Sequence, residues 1–377
     1  MTGGRHYGMD WLRIAAFGLL IFYHIGMYFV PWGWHVKIAE PLDWVALPML
    51  ATNSWRLALL FLVPGYASAA LFAKLGGPGG FARSRSARLL IPLVFAVVVI
   101  IPPQPWIDLA GQHGYPHGFL HFWLHDYFGF QFIDGIALPT WQHLWFVVYL
   151  WVYTMLAALL LAIVPGAARA KVADGAARLL GGWRLLVLPA LWWVAIYLAF
   201  PDHDETHGLF DDGPSHLHYL AAFGVGWLLR VRPVLFEAVA RWWKVALVLG
   251  LLAFLPVAWI EWTWPGDTRA PQWVFLPYHV ARHLNGWLII IALLGIADAK
   301  WNRDHPRRAM LAEAVFPFYI VHQTIIVVVG WWLLQGQVAA LPSFLILVAA
   351  TVTGCWLFYW IGRSIDWLRP LIGLQRR

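Results

Sequence analysis

Asp10-Trp-Leu-Arg13-Ile-Ala-Ala-Phe-Gly-Leu-Leu-Ile-Phe-Tyr-His24 is strongly apolar, yet it carries Asp10 and Arg13 near its start and a histidine at its end. If it is helical, the eleven-residue step from Arg13 to His24 turns about 1,100°, leaving roughly 20° after whole turns, and rises about 16 Å. Both side chains then lie on one face, separated by about half the hydrocarbon core of a bilayer. Ionisable residues at such depths are costly and face a protein interior or a water-filled cavity. The remaining chain has to supply what that face looks into.

Of 377 residues, 61% are hydrophobic and 12% charged, with 27 Trp, and the mean hydropathy is +0.65. Soluble domains carry about 25% charged residues, so an integral membrane protein is expected. Alternating polar and apolar strands are absent, which argues against an outer-membrane barrel. The first apolar segment is long and polar-marked, unlike a cleaved signal peptide. Cys355 is the single cysteine, so no intramolecular disulfide forms.

Apolar runs at 11–31, 50–73, 88–105, 142–164, 184–200, 215–231, 243–264, 274–297, 311–334 and 340–362 predict an all-α polytopic bundle of about ten transmembrane helices. Prolines 92, 102, 103 and 105 interrupt the third run. With the N-terminus inside, the inner loops and both ends, from Arg5 to Arg377, hold 21 of the 26 basic residues, and the outer loops hold only Lys37 and Arg269. The positive-inside rule therefore predicts that both termini are cytoplasmic, in a multi-pass membrane protein. The net charge of +7 reads as this topology signal, with membrane lipid rather than nucleic acid as its partner. Residues 1–377 show no internal repeat and no appended soluble domain, so one membrane domain is expected. The outer loops, 102–140 and the acidic Asp202-His-Asp-Glu-Thr-His207, are rich in aromatic, histidine and acidic residues. Such loops suit a carbohydrate, whose ring faces stack on indoles.

Further polar residues sit within apolar runs: Ser54 and Arg56 in the second, His143 at the start of the fourth, and His279, Arg282, His283 and Asn285 in the eighth. The ninth carries Glu313, Tyr319 and His322, with His322 at a depth similar to that of His24. Together they suggest a polar path across the membrane. Gly76-Gly-Pro-Gly-Gly-Phe-Ala-Arg83-Ser-Arg85-Ser-Ala-Arg88 reads as an inner loop. Its arginines could hold phosphates, or serve only as flexible positive-inside residues, and no Walker ending is present. His113, His117, His121 and His125 recur every four residues, but Gly111, Gly114, Pro116 and Gly118 break the helix that would align them, so no metal site is expected.

These residues resemble the integral-membrane acyltransferase 3 family. The resemblance lies in Arg13-x10-His24, Ser54-x-Arg56 leading to Gly65-Tyr66, Arg83-x-Arg85-x-x-Arg88, His143-Leu-Trp-Phe146 and Phe318-Tyr-Ile-Val-His322, in that order along the whole chain. Trp34-His-Val, Glu313-Ala and His322-Gln323 look most like its glucans biosynthesis protein C branch, whose members succinylate periplasmic glucans. One departure is Leu60-Phe-Leu-Val-Pro-Gly-Tyr66, where the family usually has Phe-Phe-x-x-Ser-Gly-Tyr. Pro64 removes a hydroxyl and a backbone donor from that position.

The resemblance implies an acyl-CoA-dependent O-acyltransferase, with succinyl-CoA or acetyl-CoA as donor substrate and no bound cofactor. The acceptor would be a hydroxyl of an extracytoplasmic glycan, a periplasmic glucan by branch. Arg83, Arg85 and Arg88 would meet the CoA phosphates and Arg13 the thioester end. His24 would act as general base or acyl carrier, with Glu313 orienting Arg13 or sharing the acid–base work. Arg56, His143, Tyr319 and His322 would hold the acceptor or the oxyanion. The same polar path would also suit a transporter of a lipid-linked saccharide or an organic anion, although inverted repeats are missing. Oligomeric state, a homo-oligomer included, is left open by these residues.

Overall fold

The computed structural model describes residues 6–266 and 268–376; Arg5 and Arg377 lie outside them. Helices dominate: α1 (Tyr7–Met27), α2 (Ala46–Leu75), α3 (Pro78–Phe95), α4 (Pro103–Gln112), the single turn α5 (Phe119–His121), α6 (Trp145–Ile163) and α7 (Gly166–Leu179). They continue as α8 (Arg184–Ala199), α9 (Gly213–Val231), α10 (Val234–Thr263), α11 (Phe275–Trp301), α12 (Arg308–Gln335) and α13 (Ala340–Ser364). Among the described residues the sheet content is one antiparallel hairpin, β1 (Gln131–Ile133) with β2 (Ile136–Leu138). Its Asp134–Gly135 turn has both φ angles positive, 47° and 81°, as a two-residue hairpin turn requires.

Among the described residues, eight helical segments are long and apolar enough to cross a membrane, or nine if α7 and α8, which meet at 97°, form one span. The ten apolar runs all fall on helices, but two of them are marginal as spans. Helix α8 has only 16 residues, short of the about 20 a straight crossing needs. Helix α9 is diluted by His216, His218 and Arg230. The segment expected as a glycine-rich inner loop is instead mostly helix. Gly76, at φ 70°, makes the turn, and α3 begins at Pro78, whose fixed φ suits a first helical turn.

The chain divides into two compact units. The first comprises Met1–Ala16, Leu47–Arg85 and Tyr149–Ala312. Helix α11 is its centre: 67% of its apolar window is buried, against 22% for its neighbour α10, whose outward leucines remain for lipid. Helix α2 meets α9 backbone to backbone. A Cβ on Gly65 would lie 2.1 Å from the Phe223 carbonyl oxygen, and one on Gly226 would lie 1.9 Å from that of Leu62. Only glycine permits that approach. At one end Arg308 bridges Asp10 and Asp304, each at 2.7 Å.

The second unit comprises Phe17–Ala46, Ser86–Val148 and Glu313–Arg377. Helix α12 is its centre, with 61% of its window buried against 22% for α13. Ile25, Tyr28, Phe29, Val36, Ile326, Val327 and Leu347 form its main core. Leu109, Phe122, Tyr127 and Leu138 form a smaller one around the hairpin. The Lys37 ammonium donates to the carbonyls of Met27, Val30 and Trp32, satisfying acceptors beyond the end of α1. Burial lowers its pKa to about 8.

Candidate active site

Helix α12 sets Tyr319 and His322 one turn apart on a single face, α1 carries His24, and the tight turn Gln142–Leu144 carries His143. The second unit brings all four together. His24 Nδ1 lies 2.7 Å from His322 Nε2, and the two rings are near-parallel with centroids 5.0 Å apart. His322 Nδ1 lies 2.8 Å from the Tyr319 carbonyl oxygen.

The partners fix the tautomers. A carbonyl can only accept, so His322 Nδ1 carries the proton and its Nε2 offers a lone pair. His24 Nδ1–H then donates to that lone pair, and His24 Nε2 is left as the basic nitrogen. His322 is fully buried and Tyr319 is 2% exposed, whereas His24 is only half-buried. The reachable base is therefore His24.

His143 Nε2 donates to the Tyr319 and Ile320 carbonyls at 3.0 and 3.3 Å, and the Tyr319 hydroxyl donates back to the His143 carbonyl. His143 and Tyr319, two of the four residues expected to hold the acceptor or the oxyanion, are thus engaged with backbone, locking the turn at His143 onto α12. His143 Nδ1 is buried with no hydrogen-bond partner.

A second polar chain flanks His322, and the sequence did not disclose it. Asp108 holds His35 Nδ1 at 2.8 Å, and His35 Nε2 lies 3.3 Å from Gln323 Nε2. Gln323 also donates to Gln104 at 3.0 Å, and Gln104 donates to Thr324 at 2.7 Å. Asp108 and Gln104 lie in the proline-rich run around Pro103 and Pro105, where a lone Gln between prolines was the available signal.

Glu313 accepts from the Tyr359 hydroxyl at 2.8 Å and from Arg363 Nε at 2.9 Å, so its carboxylate is held by α13. Arg88 is exposed on α3. In the first unit, Arg13 Nη2 donates to the Ala312 carbonyl at 3.0 Å, Arg56 is 3% exposed and Arg85 9% exposed, and Arg83 is exposed. On one helix Arg85 and Arg88 point about 200° and 140° away from Arg83, so at most two of the three share a face. Rings of His117 and His121, and of His121 and His125, lie 4.2 and 4.8 Å apart. Among the described residues no three side chains are placed to hold a metal ion.

A family described as an acyltransferase domain, acyltransferase 3, matches residues 6–360. Two relatives named glucans biosynthesis protein C, from Escherichia coli O6:K15:H31 (strain 536 / UPEC) and Escherichia coli O1:K1 / APEC, are each 30% identical over 152 residues. The match covers 40% of this chain and 38% of each relative, well under half of their length. No solved structure matches. The helical membrane fold and a match spanning nearly the whole sequence make this chain a member of the acyltransferase 3 family.

Proposed function

We propose that the protein transfers a succinyl or acetyl group from acyl-CoA on the cytoplasmic face to a hydroxyl of an extracytoplasmic glycan, a glucan in the bacterial envelope. The observation that carries this reading is the His24–His322 pair, whose hydrogen bonding to the Tyr319 carbonyl sets His24 as the tautomer with its basic nitrogen at Nε2. The acceptor O–H gives its proton to His24 Nε2 as its oxygen attacks the thioester carbonyl. The imidazolium that forms keeps its Nδ1–H on His322 Nε2, a bond that strengthens as charge develops. The tetrahedral intermediate then breaks its C–S bond, the proton passes to the departing sulfur, and free CoA and an O-acyl ester result.

His322 is a positioning residue in this scheme, and His143 and Tyr319 hold the helix carbonyl on which its tautomer depends. Arg83, Arg85 and Arg88 supply guanidinium groups for CoA phosphates, with Arg13 for the thioester end. Arg56 serves the oxyanion or a succinyl carboxylate. Glu313, paired to Arg363 and Tyr359, fixes α12 beside α13. A glucan acceptor is supported by the name that the relatives carry, and cytoplasmic donor chemistry by the positive-inside pattern.

The test is release of free CoA thiol by the purified protein in lipid nanodiscs, given succinyl-CoA or acetyl-CoA and a soluble glucan. Wild type should release thiol in step with ester formation, and His24→Ala should release none above background. Full turnover by His24→Ala would overturn the assignment.

A further inference from the structure

The first unit holds a half-open cavity of about 640 Å³ whose lining residues have no role assigned in the steps above. That volume lies within the roughly 300–1,000 Å³ of sites that take small molecules. One wall is aromatic. Tyr197 stacks on His279 with ring centroids 4.4 Å apart, His218 is backed by the buried Trp193 at 3.9 Å, and His283 lies 5.8 Å from Tyr197 and 5.9 Å from His218. The acidic loop also lines the space, through Asp202, Asp204 and Glu205. Arg282 completes it. Its guanidinium lies 5.8 Å from the Tyr278 ring, and among the described residues it forms no ion pair.

The acidic loop is built to stay in place. Fully buried Asp212 holds His203 at 2.7 Å, the Tyr149 hydroxyl at 2.7 Å and the His207 backbone N–H at 3.2 Å. His216 adds a bond to the Leu209 carbonyl at 2.9 Å. The Tyr219 hydroxyl, donating to Glu205 at 2.7 Å, aims that carboxylate. Ser54, itself in the lining, donates to Asn285, which donates in turn to the Gly250 carbonyl at 2.9 Å.

The chemistry of the lining selects its occupant. Three carboxylates against one guanidinium disfavour an anion. A cation would gain from the acids but would leave Arg282 opposed. A neutral polyol satisfies both, because each hydroxyl donates to a carboxylate while accepting from Arg282 or an imidazole N–H. Its apolar C–H faces pack on the aromatic wall. We infer that this cavity is a binding site for the sugar rings of a neutral oligosaccharide. On the function proposed above, which this step deepens, those rings belong to the acyl acceptor.

The test uses the full chain in nanodiscs and a neutral glucose oligosaccharide as probe. Saturation-transfer NMR reads binding, and thiol release reads transfer. Glu205→Gln and Arg282→Gln should each weaken oligosaccharide binding about tenfold or more. They should raise the KM for glycan to a similar extent, leaving kcat and the KM for acyl-CoA unchanged. His24→Ala should bind the oligosaccharide as wild type does. Wild-type acceptor KM and binding in both cavity variants, with transfer intact, would overturn the cavity assignment alone. Binding that depends on Glu205 and Arg282 in a protein that transfers no acyl group would uphold the cavity and overturn the proposed function.

Discussion

Replacing His322 with Leu removes the acceptor for His24 Nδ1–H while keeping an apolar side chain of similar bulk in a fully buried position. That bond joins neutral rings before reaction and a charged imidazolium during it, so its loss falls mainly on the transition state. Hydrogen bonds to charged groups are worth about 1.5–3 kcal/mol, and each 1.36 kcal/mol is tenfold in rate, so kcat should fall roughly ten- to 150-fold. KM for either substrate should stay within about twofold, as expected when an interaction belongs to the transition state. His322→Gln provides the control. Its amide oxygen can reach the position of the lost Nε2, so it should recover part of the rate. The assay is thiol release in nanodiscs, with protein quantity and monodispersity matched to wild type. His322→Leu turning over at the wild-type rate would refute the dyad, and a large rise in KM with unchanged kcat would show that His322 serves binding instead.

Gly65→Ala should push α2 away from the Phe223 carbonyl it now approaches, lowering stability by about 1–3 kcal/mol, read as a fall in the detergent-solubilised melting temperature. Asp212 carries a pH signature. Burial raises its pKa, but hydrogen bonds from Ser215, Tyr149, His203 and the His207 backbone outweigh it and leave the carboxyl below its ordinary value. A depressed folded pKa means that the stabilisation is present above the unfolded value and lost as pH falls through the folded one. The melting temperature should therefore hold from pH 7 to 5 and drop below about pH 4, where Asp carboxylates titrate. Asp212→Asn should start lower and show a smaller drop. Exchanging Arg85 and Arg88 together for Gln should raise the KM for acyl-CoA at least tenfold with the glycan KM unchanged, measured by the same thiol assay.

The helical membrane class was legible because composition and apolar run length follow directly from the bilayer's thickness. The histidine pair was half legible. Helical spacing placed Arg13 and His24 on one face, and similar depth set His24 and His322 along one polar path, but their pairing and its hydrogen-bond direction depend on a carbonyl no sequence pattern shows. The segment around Arg83, Arg85 and Arg88 misled because four glycines and a proline read as a loop, although the proline sits at the first helical turn where it favours the helix. Asp108 and Gln104 stayed hidden because their partners, His35 and Gln323, are 73 and 219 residues away. Asp212 stands near Asp202, Asp204, Glu205 and Asp211 in the sequence, and only tertiary packing shows that it is the buried one.

Mass spectrometry of envelope glycans from cells lacking this gene, complemented with wild type or His24→Ala, tests the central claim most directly. Wild type should restore an ester-borne acyl mass shift, and His24→Ala, present in the membrane at equal abundance, should leave the glycans unmodified. A full mass shift with His24→Ala would contradict the account.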